Sequence, residues 1–124
     1  MSSLTLLIVD DEASTRTGLR MLLQFETDIE VVGEAHNGLS ALQLIEQLEP
    51  DLVLMDVRMP GMDGITCARE IARRFSHVAV LFLSLYDDQS SRASAAEAGA
   101  IGFIPKHSMT EKLLPALRQL LSLK

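Results

Sequence analysis

The stretch Leu52-Val53-Leu54-Met55-Asp56-Val57-Arg58-Met59-Pro60-Gly61-Met62-Asp63-Gly64 decides the fold. Its first four residues are apolar without a break, which is how a strand buried on both faces reads. Pro60 and Gly61 turn the chain into a loop. Asp63 is placed to cap a helix, and Ile65, Ala68, Ile71 and Ala72 recur at helical spacing beyond it. The stretch is therefore a strand, a loop and a helix start, with a carboxylate where the strand ends.

Working outward, the same unit repeats. Leu4-Thr5-Leu6-Leu7-Ile8-Val9 and Val78-Ala79-Val80-Leu81-Phe82-Leu83 are also nearly continuous apolar runs. Ile29-Glu30-Val31-Val32-Gly33-Glu34-Ala35 alternates in part, as an edge strand does, and Ala100-Ile101-Gly102-Phe103-Ile104 is a shorter fifth run. Between them lie helical stripes: Leu19, Leu22 and Leu23; Leu39, Leu42, Ile45 and Leu48; and Leu113, Leu114, Leu117, Leu120 and Leu121. A polar, Ala- and Ser-rich helix includes Ala93, Ala96 and Glu97. Stripes of this kind face a core. Asn37-Gly38 opens the second helix, Glu49-Pro50 stops it and Gly99 closes the fourth. Pro115 interrupts the last stripe, so that helix is expected to start at 108–110 and to bend slightly. A β-α unit repeated five times predicts an α/β fold with a parallel sheet, right-handed crossovers and helices on both faces.

The 124 residues and 48% apolar content suit one compact domain covering 1–124. With four Phe, one Tyr and no Trp, the core is aliphatic. The formal charge of −6 argues against nucleic-acid binding by this domain. One cysteine, Cys67, excludes an intrachain disulfide and reads as packing. The apolar run at 4–9 is too short for a secretory leader, and no run reaches the ~20 residues of a membrane span. The expectation is a soluble, cytoplasmic protein with no membrane contact.

Ligands of open α/β sheets bind beyond the carboxyl ends of the strands. The residues at those ends are Asp10, Asp11 and Glu12 after the first run, Asp56 after the third, Ser84 after the fourth and Lys106 after the fifth. One such Asp is an ordinary helix cap. Three carboxylates converging on one sheet edge repel, and a hard divalent cation with oxygen ligands relieves the conflict; Mg2+ suits few carboxylates and a phosphate. Asp56 is then a nucleophile toward phosphorus. Asp11, with Asp10 behind it, holds the metal, Lys106 binds phosphate as a point charge, and Ser84 donates to a phosphate oxygen.

Asp10-Asp11-Glu12, the segment 55–64, Leu83-Ser84 and Phe103-Ile104-Pro105-Lys106, in this order and spacing, resemble the receiver domain of two-component response regulators over essentially the whole chain. The resemblance implies a flavodoxin-like (βα)5 three-layer sandwich with strand order 2-1-3-4-5. It implies that Asp56 accepts the phosphoryl group from a sensor histidine kinase. It implies Mg2+ on Asp11, Asp56 and the Arg58 carbonyl, with Asp10 acting mainly through water, and a switch made by Ser84 and Phe103. It implies weak autophosphorylation from small donors and slow autodephosphorylation, not an enzyme's turnover, and a remodelled α4-β5-α5 surface that controls an output such as transcription, with a homodimer as one consequence of phosphorylation. The segments 29–35 and 102–106 resemble the subgroup with a LuxR/NarL-type helix-turn-helix output domain. The chain itself reads as a single-domain regulator or a piece of a longer one. Where the family often has a smaller residue, Leu85 is expected to narrow access to Asp56. Arg58 stands at a position linked to dephosphorylation rate, Phe103 lacks a tyrosine's hydroxyl, and Pro105-Lys106 inverts the family's common order, whose cis bond is thereby unplaced.

Other readings fit less well. An aspartyl phosphohydrolase would need a second acid two residues after Asp56, where Arg58 stands. A Rossmann-type nucleotide site needs a Gly-rich turn in place of Asp10-Asp11-Glu12-Ala13. A receiver working without phosphorylation would not need the full acid, hydroxyl and lysine set. His36, His77 and His107 show no metal-ligand spacing, Met55, Met59 and Met62 read as packing, and Tyr86 as a loop residue.

Overall fold

The computed structural model describes residues 3–85 and 88–124; the expectation for Tyr86 lies outside them. Its strands are β1 (Leu4–Val9), β2 (Ile29–Ala35), β3 (Leu52–Asp56), β4 (Ala79–Ser84) and β5 (Gly102–Pro105). Its α-helices are α1 (Ala13–Leu23), α2 (Gly38–Leu48), α3 (Gly64–Arg74), α4 (Gln89–Glu97) and α5 (Met109–Ser122), with a 3-10 turn at Lys106–Ser108. The strands are all parallel, in the order β2-β1-β3-β4-β5. That is the expected order, with Ile29–Ala35 at an edge.

Strand side chains alternate in direction, and here both directions are apolar. Leu6, Ile8, Leu52, Leu54, Leu81 and Leu83 point to one face, where Leu19 and Leu23 of α1 and Leu113 and Leu117 of α5 cover them. Leu7, Val9, Val53, Met55, Val80 and Phe82 point to the other, under Ala41, Leu42 and Ile45 of α2, Cys67, Ala68 and Ile71 of α3, and Ala95 of α4. The result is three layers. Leu113 and Leu117 are fully buried, so truncating either to Ala should cost about 2–5 kcal/mol.

The helix ends follow the expected punctuation. Asn37 accepts from the Ser40 N–H at 2.8 Å, and Asp63 from the Thr66 N–H at 2.8 Å. Glu49 ends α2 in the left-handed region, at φ 48°. Gly99, at φ 95°, ends α4: its N–H bonds Ala96 O, and the Ala100 N–H bonds Ala95 O. This is the paired-bond ending that a residue without a Cβ adopts most cheaply.

Several expectations need correction. Leu39 is 63% exposed and Leu48 lies half outside, because the α2 face on the sheet is Ala41, Leu42 and Ile45. Ala72 is exposed, and Cys67 takes the place in the core that it was expected to hold. The fifth strand begins at Gly102, two residues later than the apolar run. α5 starts at Met109, inside the expected 108–110, and Pro115 lies within it. Its ring faces solvent, so the Glu111 carbonyl, its missing intrahelical acceptor, is left on the wet side. Among the described residues no peptide bond is cis, and no helix is long and apolar enough to cross a membrane.

Candidate functional site

Parallel strands all end on the same side, so the carboxyl ends of β1, β3, β4 and β5 bring Asp10, Asp56, Ser84 and Lys106 to one edge of the sheet. Asp56 is the last residue of β3, level with Leu83 of β4, and Ser84 is level with Pro105 of β5. Asp10, Asp56 and Ser84 are all buried, an unusual place for carboxylates.

Each carboxylate is held by its neighbours. Asp10 donates its N–H to Ala35 O at 3.1 Å, which extends the β1-β2 ladder by one rung. Its Oδ1 accepts the Glu12 N–H at 2.9 Å, a side-chain turn that bends the chain out of the strand. Asp56 Oδ1 faces the Arg58 N–H at 3.4 Å, a long contact. Lys106 opens the 3-10 turn after β5, and its Nζ lies 2.8 Å from Asp10 Oδ2, 3.2 Å from Asp56 Oδ2 and 3.7 Å from Glu12 Oε1. One ammonium thus bridges two buried carboxylates.

Burial pushes the Asp56 carboxyl above its usual range, and the Asp10 charge adds to this, while Lys106 opposes it. Burial alone would lower Lys106, but the hydrogen bond to Asp10 and the charge of Asp56 outweigh it and hold the ammonium above its ordinary value. The two effects have one origin: an excess of negative charge in a place short of water.

The Asp10, Asp11 and Asp56 carboxylates each offer an oxygen, and these oxygens lie within 4.8 Å of one another. Asp10 and Asp56 are buried and Asp11 is exposed, so the cluster opens toward solvent on one side. An all-oxygen donor set carrying more negative charge than Lys106 cancels fits a hard cation such as Mg2+.

The loop after Asp56 is shaped around the site. Met59 is buried, Gly61 turns at φ 77°, and the Gly64 N–H bonds Val57 O at 2.7 Å. Met55 and Met59 are core residues and Met62 packs against them. Arg58 is exposed at the loop surface, and Leu85 is exposed just past β4.

Phe103 stands apart from the carboxylates. It is half-buried on the α2-α3-α4 face, and the Arg92 guanidinium of α4 lies over its ring, 4.8 Å from the centroid. His36, His77 and His107 are all exposed, on separate elements. Two residues near the site escape a sequence reading. Arg16 donates from Nη1 to the Asp10 carbonyl at 2.7 Å and from Nε to Glu34 Oε1 at 3.0 Å. Arg92 is the other. Nothing in the spacing of either residue marks it.

Comparison with known proteins agrees with this geometry. Residues 6–118 match the family described as the response regulator receiver domain. The uncharacterized transcriptional regulatory protein YhcZ of Bacillus subtilis is 42% identical over 109 residues, covering 88% of this chain and 51% of the relative. The nitrate/nitrite response regulator NarL of Escherichia coli is 36% identical over 115 residues, covering 93% of this chain and 53% of the relative. The chain spans about half the length of these curated relatives. Among solved structures, the signal receiver domain of the NarL response regulator of Mycobacterium tuberculosis matches with a TM-score of 0.91 at 32% identity, covering 98% of both chains. NarL-, DegU- and LiaR-type regulators are among the relatives, as the resemblance of segments 29–35 and 102–106 anticipated. A family signature running from β1, just before Asp10, into the helix beyond Lys106, together with a solved receiver that superposes on nearly every residue, assigns the chain to the response regulator receiver domain family, as the receiver domain of a two-component response regulator.

Proposed function

We propose that this domain is a phosphoacceptor switch in which Asp56 takes a phosphoryl group from a sensor histidine kinase. The observation that carries the reading is the Lys106 ammonium set between two buried carboxylates, Asp10 and Asp56, beside a third, Asp11. Burying this much charge costs several kcal/mol of desolvation per ion, a cost that a role in binding a metal and a phosphoryl group accounts for.

Asp10, Asp11 and Asp56, with the Arg58 carbonyl, would hold Mg2+. Bound there, the ion supplies charge neutralisation for an incoming phosphoryl group. An Asp56 carboxylate oxygen forms the new O–P bond as the bond from phosphorus to the donor's imidazole nitrogen breaks, and the imidazole leaves with that electron pair. Lys106 then exchanges its contact with Asp56 for one with a phosphoryl oxygen. Ser84 donates its hydroxyl to another. Phosphoryl transfer needs mainly such positioning and charge balance. Water attack at phosphorus breaks the O–P bond, releases inorganic phosphate and restores the Asp56 carboxylate.

The phosphoryl group brings about −1.5 to −2 charges and three acceptor oxygens. Ser84 moves toward it, and Phe103 follows. Arg92 over Phe103 makes α4 part of that movement. A phosphoryl group that favours one arrangement shifts the population toward it, and a partner reads the altered α4-β5-α5 face. Control of transcription is the output that fits the relatives' printed descriptions as transcriptional regulators, with a homodimer as one consequence of phosphorylation.

Acetyl phosphate tests the reading, with intact mass as the readout on wild type and Asp56→Asn, with and without Mg2+. The expected result is a Mg2+-dependent gain of one phosphoryl group that the substitution abolishes. No gain, or a gain that survives in Asp56→Asn, would remove Asp56 from the role.

A further inference from the structure

We infer that Arg16 is a positioning residue for the metal-holding acids: it clamps the main chain of Asp10 to the β2 edge so that the Asp10 and Asp11 carboxylates stay aimed at Asp56. The inference rests on the proposed metal role of those acids.

Asp10 is the residue at which β1 stops and the acidic turn begins. Its side chain is fixed by the Glu12 N–H and by Lys106, and its own N–H is tied to Ala35. That leaves the carbonyl. An unpaired carbonyl at a strand end can rotate, and rotation of the 10–11 peptide swings the Asp11 side chain. Arg16 removes this freedom with a 2.7 Å hydrogen bond from Nη1. Its Nε is spent on Glu34 of β2, at 3.0 Å, and Glu34 also pairs with Arg20. The planar fork of Arg thus spans two strands from a helix, using two donors in fixed relative geometry. A Lys has one nitrogen at its tip and holds one of these partners at a time. Arg16 is mostly buried, its side chain 20% exposed, so water competes poorly for either bond.

Two effects of Arg16 on a cation have opposite signs. As a positive charge near the acids it repels the ion, and removing it would tighten binding. As a clamp it keeps the ligands in register, and removing it would weaken binding. Partners that orient metal ligands matter by roughly 10–100-fold in affinity, while a charge at the partly wetted edge of the site is screened. The clamp therefore dominates.

The test is Mg2+ affinity, measured by calorimetric titration on the whole chain without phosphodonor, together with the Mg2+-induced rise in thermal midpoint, for wild type, Arg16→Lys, Arg16→Gln and Glu34→Gln. The expected result is weaker Mg2+ binding in both Arg16 variants, by roughly tenfold, and a smaller loss in Glu34→Gln. Arg16→Lys separates the clamp from the charge: it keeps the charge and loses the fork. Unchanged affinity in Arg16→Lys with tighter binding in Arg16→Gln would overturn the clamp and leave only a charge effect. If the Arg16 variants do not fold, Glu34→Gln decides alone, and affinity equal to wild type there overturns the inference. A wild type that binds no Mg2+, or binds it equally well as Asp11→Asn, would overturn the metal role itself, and the clamp with it.

Discussion

A Cβ atom on Gly64 would sit 2.1 Å from the backbone carbonyl oxygen of Asp56 and 3.0 Å from the Phe82 ring. The first residue of α3 therefore rests directly on the main chain of the proposed phosphoacceptor. The obstacle is backbone, not a flexible side-chain tip, so an added methyl forces the helix start or the end of β3 to move. Gly64→Ala should destabilise the domain by about 3 kcal/mol, the upper end of the usual overpacking range. Urea denaturation measures this. A loss under about 0.5 kcal/mol would mean that the contact relaxes freely and that Gly64 is not needed at this position.

Lys106 compensates two buried carboxylates. Lys106→Met keeps much of the side chain's length but removes its charge, leaving Asp10 and Asp56 to repel at short range. Removing one partner from a buried ionic group typically costs about 3–5 kcal/mol. A somewhat smaller loss is expected here because Asp11 and Glu12 keep the edge partly wet. Unfolding in EDTA should show the full loss, and unfolding in Mg2+ should recover part of it, because a bound cation takes over the compensation. Equal stability of variant and wild type in EDTA would refute the compensating role.

Glu34 supplies the pH prediction. The hydrogen bond from Arg20, aided by Arg16 and opposed by burial, holds its carboxyl below the ordinary value of 4.5. A depressed carboxylate contributes stability that is present above its unfolded value and lost as pH falls through its folded one. Wild type should thus exceed Glu34→Gln by up to about 1 kcal/mol at pH 6, as befits partly exposed ion pairs, and the gap should close as the pH is lowered from 4.5. A gap that persists unchanged at pH 3 would assign the effect to packing.

Cys67 should be inert in the native state. It is fully buried against α2, with Sγ 3.7 Å from Gly38 O, and burial pushes its thiol up to about 11. The thiolate is the reactive form. A thiol reagent at pH 8 should label the unfolded chain promptly and the folded one only at the rate of opening. Prompt labelling of the folded protein would show that α3 opens far more readily than its packing implies.

Much of this protein is legible along the chain. The strands declare themselves because both faces of the sheet are covered, so their sequences are nearly continuous in Leu, Val and Ile. Asp63, Asn37 and Gly99 act within a few residues of themselves, and local chemistry finds them. Asp10, Asp56, Ser84 and Lys106 could be placed together because parallel strands share one carboxyl end, which makes separation along the chain irrelevant. What a sequence cannot report is which side chain on a helix reaches which atom of the sheet. Leu39 keeps the spacing of the α2 stripe, yet it is exposed, and Ala41, Leu42 and Ile45 are the residues that pack on the sheet. Pro115 sits inside α5, and the buried Leu113 and Leu117 on either side anchor that helix to the sheet.

The sequence by itself determined the α/β alternation, the edge on which the charges gather and the residue types available there, because these depend on local periodicity and on one topological rule. Tertiary structure alone decided that Lys106 bridges Asp10 and Asp56, that Arg16 reaches the Asp10 carbonyl and Glu34, that Arg92 covers Phe103 and that Gly64 rests on Asp56. Each of these depends on the distance and angle between elements, set by how side chains from the whole chain fill the space between helices and sheet.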